Sequence, residues 1–516
     1  MLRLNKLPRI LFFSFCLLAA LTVYACRNTN NAEKGSELSK TYCGSCHQYP
    51  APELLDKQTW RELVLPVMGN FFGIETESQS SGWDKKPTPL ATNGKQQTLS
   101  KEDWKLIVDF YVSNAPDTLS RPEKDIVIAD TIPGFEIFQS PAAYGSPSLS
   151  YIGIDTSSKT STLLIADLSQ QYIYRYSSKL KVIDSVRIAD GAVVNLDIHQ
   201  NRIAVCNVGQ LSPNNGKSGK GQQLLLSNTG SMEWNNDFNL PSLARPVELR
   251  SLDLDGDGDD DYLVSEFGHN SGALSWRRSL GNNQYEVRSL RALPGCIETI
   301  IRDVNADGRP DIFALFTQAD EGIFLFTNLG NGEFKEQRIL QFPASYGSSS
   351  FELIDIDKDN DEDIVYTCGD NSDFSPILKP YHGVYIYLND GALNFSRKFF
   401  FPINGCYKSR TADYDHDGNL DIATISFFAD YANLPEEGFV YLHNNGNLNF
   451  SAYSFKQSVL GRWLTMDAGD LDGDGNIDLV LGNLSIGPYN SRPKNEWVNG
   501  PRFFYLRNKS KPANYK

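Results

Sequence analysis

The sequence predicts two domains of different fold class, a small all-α domain followed by an all-β domain built as a seven-bladed β-propeller. Three observations predict this division. A Cys-x-x-Cys-His motif lies in a helically patterned segment near the start, repeats of 50–58 residues begin near Tyr144, and five repeats carry a nine-residue acidic loop. The predicted boundaries are a signal peptide over 1–26, the helical domain over 27–120, a linker over 121–134 and the propeller over 135–516.

The start of the chain has the features of a secretory signal. Arg3, Lys6 and Arg9 precede the apolar run ILFFSFCLLAALTVYAC, which is too short for a comfortable membrane span. Ala25 and Cys26 resemble a bacterial lipobox, and this resemblance implies that Cys26 is the lipidated first residue of the mature protein. Simple cleavage and an uncleaved anchor are the alternatives. The expected location is the bacterial cell envelope, as a periplasmic or outer-membrane lipoprotein that reaches the membrane only through its lipid anchor.

The composition excludes one class of partner. The chain has 63 acidic and 48 basic residues and a net charge of −15, whereas nucleic-acid binding needs clustered Lys and Arg, so no nucleic acid is expected. Four of the eight cysteines lie far apart in the second domain. The sequence leaves open whether they are buried free thiols or disulfides. These four are Cys206, Cys296, Cys368 and Cys406.

The stretch TYCGSCHQYP, residues 41–50, is typical of covalent haem attachment in an exported protein. Cys43 and Cys46 are expected to form thioether bonds to one haem c, and His47 is placed to ligate its iron. A thiol redox pair and a zinc site are the alternatives. Zinc would require further Cys or His nearby, and none lies between His47 and Asn195. The sequence therefore favours haem.

Helical segments flank this motif on both sides. AEKGSELSKTY precedes it, and SKEDWKLIVDFYVSNAP follows later, with Ser100 as the predicted N-cap and Trp104 and Tyr111 on one face. Together these parts resemble the first and last helices of a small class I cytochrome c. Met68 is the only methionine of this domain, so it is the predicted sixth iron ligand. His/Met ligation favours a raised potential and electron transfer; the alternative is that Met68 only packs in the pocket of a five-coordinate iron.

Five acidic loops mark the repeats of the second domain. Each places oxygen-bearing side chains at positions 1, 3, 5 and 9 of nine residues, a pattern that suits Ca²⁺, a hard cation with oxygen ligands. An EF-hand is excluded because its glutamate at position 12 is missing and a strand follows each loop. Recurrence in five copies argues against metal-free turns. The predicted ligands, for up to five Ca²⁺ ions, are Asp253, Asp255, Asp257 and Asp261; Asp303, Asn305, Asp307 and Asp311; Asp355, Asp357, Asp359 and Asp363; Asp413, Asp415, Asp417 and Asp421; and Asp470, Asp472, Asp474 and Asp478.

A second marker follows the acidic loops in the repeats. The stretches NLGNGEF, NDGALNF and NNGNLNF share an Asn-x-Gly…aromatic pattern that is typical of a β-hairpin, so each repeat predicts four strands, or one propeller blade. The combination resembles the FG-GAP or VCBS repeat of integrin α-chain propellers and of many exported bacterial proteins, and implies a propeller with Ca²⁺-binding hairpin loops. Two degenerate repeats bring the count to seven blades. The strand at 135–140 is predicted to complete the last blade.

The face opposite the acidic loops is the expected recognition surface. Its long loops carry Tyr381, Tyr431, Tyr489 and Trp497, aromatic residues that could stack on a sugar or line a partner interface. Packed aromatics in solvated loops are the alternative. Charged residues recur at one parity on the innermost strands and are predicted to line a polar channel. They include Glu248, Arg250, Glu298, Glu352, Lys408, Arg410 and Asp467.

These features predict an exported, lipid-anchored monohaem c-type cytochrome that transfers electrons. Its Ca²⁺-stabilised propeller would dock a redox partner protein, a small molecule or a glycan. One alternative is a propeller dehydrogenase that oxidises a sugar or alcohol and passes electrons to the haem. Another is a glycan- or protein-binding surface lipoprotein. Electron transfer is preferred to catalysis because the sequence offers no nucleophile–base–orienter set.

Overall fold

The computed structural model divides the chain into two compact units, Met1–Leu119 and Ser120–Lys516. The predicted signal peptide, Cys26 and Tyr489 lie outside the described residues. No helix within the described part of the chain combines the length and the apolar character needed to cross a membrane. The structure describes residues 31–74, 99–140, 145–157, 160–212, 214–227, 231–318, 320–372, 377–486 and 494–511.

The described part of the first unit is helical. Helix α1 covers residues 31–43 and ends at the first cysteine of the Cys-x-x-Cys-His motif. A 3₁₀ turn at Pro52–Leu54 leads to helix α2, which is continuous through Lys57–Thr59, a π-helical turn at Trp60–Val64, and Leu65–Phe71. Helix α3 covers Lys101–Asn114.

Side-chain caps fix where α2 and α3 begin. The Asp56 carboxylate accepts a hydrogen bond from the Thr59 N–H at 2.8 Å. The Ser100 hydroxyl oxygen accepts one from the Asp103 N–H at 3.0 Å, which confirms Ser100 as the N-cap. The apolar spacing predicted for α3 also holds, because Trp104 and Tyr111 are both buried.

Helices α1 and α3 cross in close contact. A Cβ atom placed on Gly35 would lie 2.6 Å from the Leu106 carbonyl oxygen and 3.0 Å from the Phe110 Cβ, so only glycine fits at this crossing. Helix α2 packs on α3 through the rings of Trp60 and Tyr111, whose centroids are 4.4 Å apart. The small size of Gly35 thus allows α1 and α3 to approach closely, and ring packing joins α2 to α3.

The second unit is all β, apart from short turns such as Pro435–Gly438, Lys456–Leu460 and Asn495–Val498. Its described strands form seven sheets. Blade 1 contains β3 (Leu149–Asp155), β4 (Thr162–Asp167), β5 (Tyr172–Ser177) and β6 (Val182–Arg187). Blade 2 contains β7 (Val193–His199), β8 (Arg202–Asn207), β9 (Gly219–Leu226), β10 (Met232–Trp234) and β11 (Leu240–Leu243). Blade 3 contains β12 (Pro246–Leu252), β13 (Asp261–Glu266), β14 (Ala273–Ser279) and β15 (Tyr285–Arg291).

The remaining four blades repeat this antiparallel order. Blade 4 contains β16 (Cys296–Arg302), β17 (Asp311–Phe316), β18 (Gly322–Gly330) and β19 (Glu333–Gln341). Blade 5 contains β20 (Ser348–Ile354), β21 (Asp363–Cys368), β22 (Gly383–Asn389) and β23 (Phe395–Pro402). Blade 6 contains β24 (Cys406–Ala412), β25 (Asp421–Ser426), β26 (Phe439–Asn444), β27 (Phe450–Phe455) and the early strand β1 (Ile126–Ala129). Blade 7 contains β28 (Trp463–Gly469), β29 (Asp478–Asn483), β30 (Phe503–Asn508) and the early strand β2 (Phe135–Gln139).

The ring is closed by strands from both ends of this unit. Strand β2 pairs antiparallel with β30, with Phe135 opposite Asn508, and supplies the outer strand of blade 7. Each inner strand contacts the inner strand of the next blade, and β28 contacts β3. The predicted seven-bladed β-propeller is therefore confirmed. Part of the segment predicted as a linker is itself a strand, since β1 pairs parallel with β27.

Each of the seven interfaces between neighbouring blades has its own cluster of buried apolar residues. Trp463 and Phe504, for example, lie between blades 6 and 7 with their ring centroids 5.0 Å apart. The propeller cysteines belong to this packing, because all four are buried free thiols. They are Cys206, Cys296, Cys368 and Cys406.

Candidate functional site

The Cys-x-x-Cys-His motif lies in the turn that follows α1. Cys43 is the last residue of the helix, and both Cys43 and Cys46 are partly buried free thiols. Burial raises the pKa of the Cys43 thiol to about 11. Redox-active and zinc-binding cysteines function as thiolates with lowered pKa values. The pKa of Cys43 is therefore unlike that of a redox-active cysteine, whereas it does not bear on zinc, since a bound zinc ion would itself lower the pKa of its ligands.

His47 has an environment that suits an iron ligand, and Met68 lies on the second helix of the same unit. The Nδ1 atom of His47 lies 2.9 Å from the Gln48 carbonyl oxygen. Donation of Nδ1–H to this carbonyl leaves the lone pair on Nε2, the arrangement found for many metal-bound histidines. Met68 lies in the Leu65–Phe71 part of α2 and is partly buried. Two thiols, an imidazole and a thioether are a donor set that fits haem c.

The acidic loops join the first and second strands of blades 3 to 7, and their aspartates cap the turn. The position-1 carboxylate accepts the N–H of position 6 in all five loops and, except in blade 6, that of position 5; in blade 4, Asp303 accepts from Asp307 at 3.0 Å and from Gly308 at 2.8 Å. The position-5 carboxylate accepts the N–H of position 7, as Asp359 does from Asp361 at 2.9 Å. These aspartates therefore have a role in the backbone of the turn as well as any role in metal binding.

The position-9 aspartate is fully buried in all five loops. One of its oxygens accepts an N–H from the third strand of the same blade at 2.7–2.8 Å. In blades 4 to 7 that donor is an asparagine, and the Nδ2 atom of Asn328 also donates to the Leu254 carbonyl of the preceding blade at 3.0 Å. Burial raises the pKa values of Asp363, Asp421 and Asp478 to about 6.

This contact links the two sequence markers of the repeat. The asparagine of the hairpin pattern and the last aspartate of the acidic loop are hydrogen-bond partners, a relation that spacing alone did not reveal. Its sequence signal is the asparagine that opens the hairpin pattern, at a varying distance after four of the five loops, with Asn508 in the equivalent place of blade 7: Asn328, Asn389, Asn444 and Asn508.

The remaining carboxylates converge in ways that fit a cation. In blades 5 and 6 the side chains at positions 1, 3 and 5 each offer an oxygen within 4.8 Å of the others. In blades 3 and 7 the converging side chains are those at positions 1, 3 and 9. The Oδ1 atoms of Asp255 and Asp413 are buried without a hydrogen-bond partner. Buried carboxylate oxygens without a donor are expected where a cation binds, so the loops fit Ca²⁺.

The predicted channel residues lie on the inner strands, and several link neighbouring blades. Glu298 accepts the Phe351 N–H at 3.1 Å, Glu352 accepts the Thr411 N–H at 3.0 Å, and Asp467 accepts the Ile154 N–H at 2.9 Å. The last contact joins blade 7 to blade 1. Among the basic residues, Arg410 donates to Asp467 at 3.1 Å and Arg250 donates to Glu248 at 2.9 Å. Much of the inner-strand charge is thus engaged in holding the ring.

The structure brings two of the predicted recognition aromatics together and separates the third. The rings of Tyr431 and Trp497 have centroids 4.5 Å apart, but Trp497 is only 1% exposed. Tyr381 instead stacks on Tyr346 in blade 5 at 4.7 Å. The sequence reasoning missed Arg462, which is 2% exposed and has its guanidinium 3.6 Å from the centroid of the Phe427 ring. These aromatics are largely packing residues rather than free stacking surfaces.

Comparison with known families supports the architecture. The model of the FG-GAP-like repeat matches residues 303–366, which run from the acidic loop of blade 4 to the second strand of blade 5. No curated protein matches the sequence significantly. The fold and this match define the class of the second unit as a seven-bladed β-propeller that carries an FG-GAP-like repeat.

Proposed function

We propose that this protein is an exported, lipid-anchored monohaem c-type cytochrome that transfers electrons and uses a Ca²⁺-stabilised propeller to dock a partner or substrate. The observation that carries the proposal is the position of the Cys-x-x-Cys-His motif. It immediately follows a helix that crosses α3 in contact at Gly35. The haem-binding residues would therefore lie on a rigid helical frame, as an electron-transfer site requires.

Each residue of the motif has a separate role in this proposal. Cys43 and Cys46 would hold the haem through thioether bonds, and His47 would ligate the iron through Nε2, oriented by its bond to the Gln48 carbonyl. Met68 would be the sixth ligand. When bound, the haem supplies one-electron redox chemistry at a potential raised by His/Met ligation. The thiols lose their titratable protons on attachment, so the raised pKa of Cys43 concerns only the haem-free chain.

The acidic loops would bind Ca²⁺ and stiffen the ring. A cation that binds only the folded propeller stabilises it by mass action. Two features of the loops suit a cation. Their carboxylates converge, and the Oδ1 atoms of Asp255 and Asp413 lack a hydrogen-bond partner. The propeller would then provide a rigid surface for a redox partner protein, a small molecule or a glycan.

The test is the visible absorption spectrum of the lipid-free protein, produced together with haem-attachment machinery. Oxidised and reduced spectra should show low-spin haem that stays with the chain after denaturation. The Cys43→Ser/Cys46→Ser double variant should lose covalent haem. Cys296→Ala, which removes a buried propeller thiol, should retain it. Met68→Ala should convert the spectrum to high spin. Absence of covalent haem in the unaltered protein would refute the electron-transfer function and favour a binding module.

A further inference from the structure

The five acidic loops differ in the residue that faces them from the third strand. This residue directly precedes the donor to the position-9 aspartate, and in blades 3, 6 and 7 it contacts carboxylates of the loop. Its identity changes from blade to blade, while the loop pattern does not. The residues are Arg278 in blade 3, Thr327 in blade 4, Leu388 in blade 5, His443 in blade 6 and Arg507 in blade 7.

In blades 3 and 7 this residue places a guanidinium on the loop carboxylates. Arg278 bonds to Asp255 at position 3 and to Asp257 at position 5, the latter at 3.2 Å. Arg507 is ion-paired with Asp472, the position-3 aspartate of blade 7, and lies 3.9 Å from Asp474 at position 5. In both loops a cation of the protein itself therefore offsets part of the negative charge of positions 3 and 5.

In blade 4 the negative charge of the loop is also reduced, but by different residues. Its position-3 residue is the neutral Asn305, and its position-5 aspartate, Asp307, is ion-paired with Arg309 from the same loop. The Arg309 Nε atom also donates to the Asn328 carbonyl at 2.9 Å, which fixes the guanidinium against the loop.

In the loops of blades 5 and 6, no ion pair within the described part of the chain places a guanidinium on the carboxylates of positions 1, 3 and 5; Arg302 reaches the blade 5 loop but bonds to Glu362 at position 8. In blade 5 the equivalent residue is apolar, and Lys358 donates away from its own loop, to the side chain of Asn419 at position 7 of the blade 6 loop at 3.4 Å. In blade 6 the Nδ1 atom of His443 lies 3.6 Å from Asp415 and 3.3 Å from Asp421. These are also the two loops in which the carboxylates of positions 1, 3 and 5 converge. Where an arginine is present, the position-5 carboxylate does not join the converging set.

We propose that Arg278, Arg309 and Arg507 are built-in counter-ions, and that the loops of blades 5 and 6 are therefore the two tight Ca²⁺ sites of this propeller. The inference rests on the proposed Ca²⁺ role of the loops and makes it more specific. A guanidinium a few ångströms from a bound divalent cation repels it and competes for the same oxygens. The arginine loops would therefore bind Ca²⁺ more weakly, although the blade 3 loop retains an unpartnered oxygen on Asp255.

Isothermal titration of the chelator-stripped, full-length protein with Ca²⁺ tests the proposal through stoichiometry. The unaltered protein should bind two ions tightly, since three of the five loops carry arginine. Arg278→Gln should add a third ion, with an affinity at the blade 3 loop about tenfold higher than before. Arg288→Gln is the matched control, because Arg288 lies in the same blade and pairs with Glu286 rather than with the loop. It should leave the count at two.

The converse variant covers the case in which Arg278→Gln fails to fold. His443→Arg places a guanidinium at the blade 6 loop in the position that Arg278 has in blade 3, and should reduce the count from two to one. Five equivalent ions in the unaltered protein, or unchanged counts in both variants, would overturn the inference while leaving Ca²⁺ binding intact. No binding to any of these proteins would refute the Ca²⁺ role itself, and the inference with it.

Discussion

Replacing Phe135 with alanine tests whether the early strand β2 locks the propeller ring. Phe135 is 6% exposed and packs against Tyr414 and Tyr441, with ring centroids 5.7 and 5.9 Å away. A buried phenylalanine removes about 200 Å² from water, which at about 25 cal/mol per Å² contributes about 5 kcal/mol. Phe→Ala substitutions in cores cost about 3–5 kcal/mol. We expect the free energy of unfolding to fall by that amount.

The assay is urea unfolding of the full-length protein, followed by limited proteolysis under native conditions. Glu136→Ala is the control, since Glu136 is exposed on the same strand and should change stability by less than about 0.5 kcal/mol. Loss of the Phe135 ring should also speed cleavage between residues 120 and 134, because opening of β2 exposes that segment. If the free energy of unfolding falls by less than about 1 kcal/mol and the cleavage rate is unchanged, then β2 pairs with blade 7 but does not hold the ring closed.

Three further predictions address the buried histidine, the metal and the anchor. Burial, with Lys379 nearby, holds the pKa of His382 well below its usual value, so the stability it contributes is present above about pH 6.5 and is lost as the pH falls. Between pH 6.5 and 5.5 the unaltered protein should lose about 1 kcal/mol more than His382→Gln in urea titrations, and parallel pH profiles would contradict this. Chelation of Ca²⁺ should lower the melting temperature, and re-addition of Ca²⁺, but not of Mg²⁺, should restore it; an unchanged melting curve would exclude a stabilising role. Cys26→Ala should move the exported protein from the membrane fraction to the soluble fraction, and retention in the membrane would point to another anchor.

The repeat architecture could be predicted because it depends on local patterns. Each blade has its own strand periodicity and turn residues, and aligning the repeats gave the count of seven and the role of the strand at 135–140. The position of the helix crossing was less visible, since Gly35 has meaning only beside Leu106 and Phe110, which are distant in the sequence. Strand β1 was missed because its four residues pair parallel with β27, more than 300 residues away, and no local signal marks such pairing.

The basic residues beside the loops could not be predicted for a similar reason. Arg278 lies more than 20 residues after Asp255, on a strand whose own pattern is explained by packing. Only the folded hairpins bring the two together. Arg462 was missed because a buried arginine has the same sequence pattern as an exposed one, and only the aromatic rings around it show where its guanidinium lies.

The hydrogen bonds of the acidic loops also change how strongly their aspartates indicate a bound metal. Their recurrence in five copies suggested Ca²⁺, on the reasoning that turns without metal have no need of so many aspartates. The hydrogen bonds supply another need, because positions 1, 5 and 9 each accept backbone N–H groups that the turn would otherwise leave unpaired. The recurrence of aspartate at positions 1, 5 and 9 is therefore compatible both with metal binding and with a role in the hydrogen bonds of the turn. Position 3 has the same double use in blades 4, 6 and 7, where Asn305, Asp415 and Asp472 accept the N–H of position 5. Asp255 in blade 3 is more informative, since it has one oxygen on Arg278 and the other buried without a partner. The oxygens that the backbone leaves unused are the ones that indicate a cation, and the question for each blade is whether that cation is an arginine or Ca²⁺.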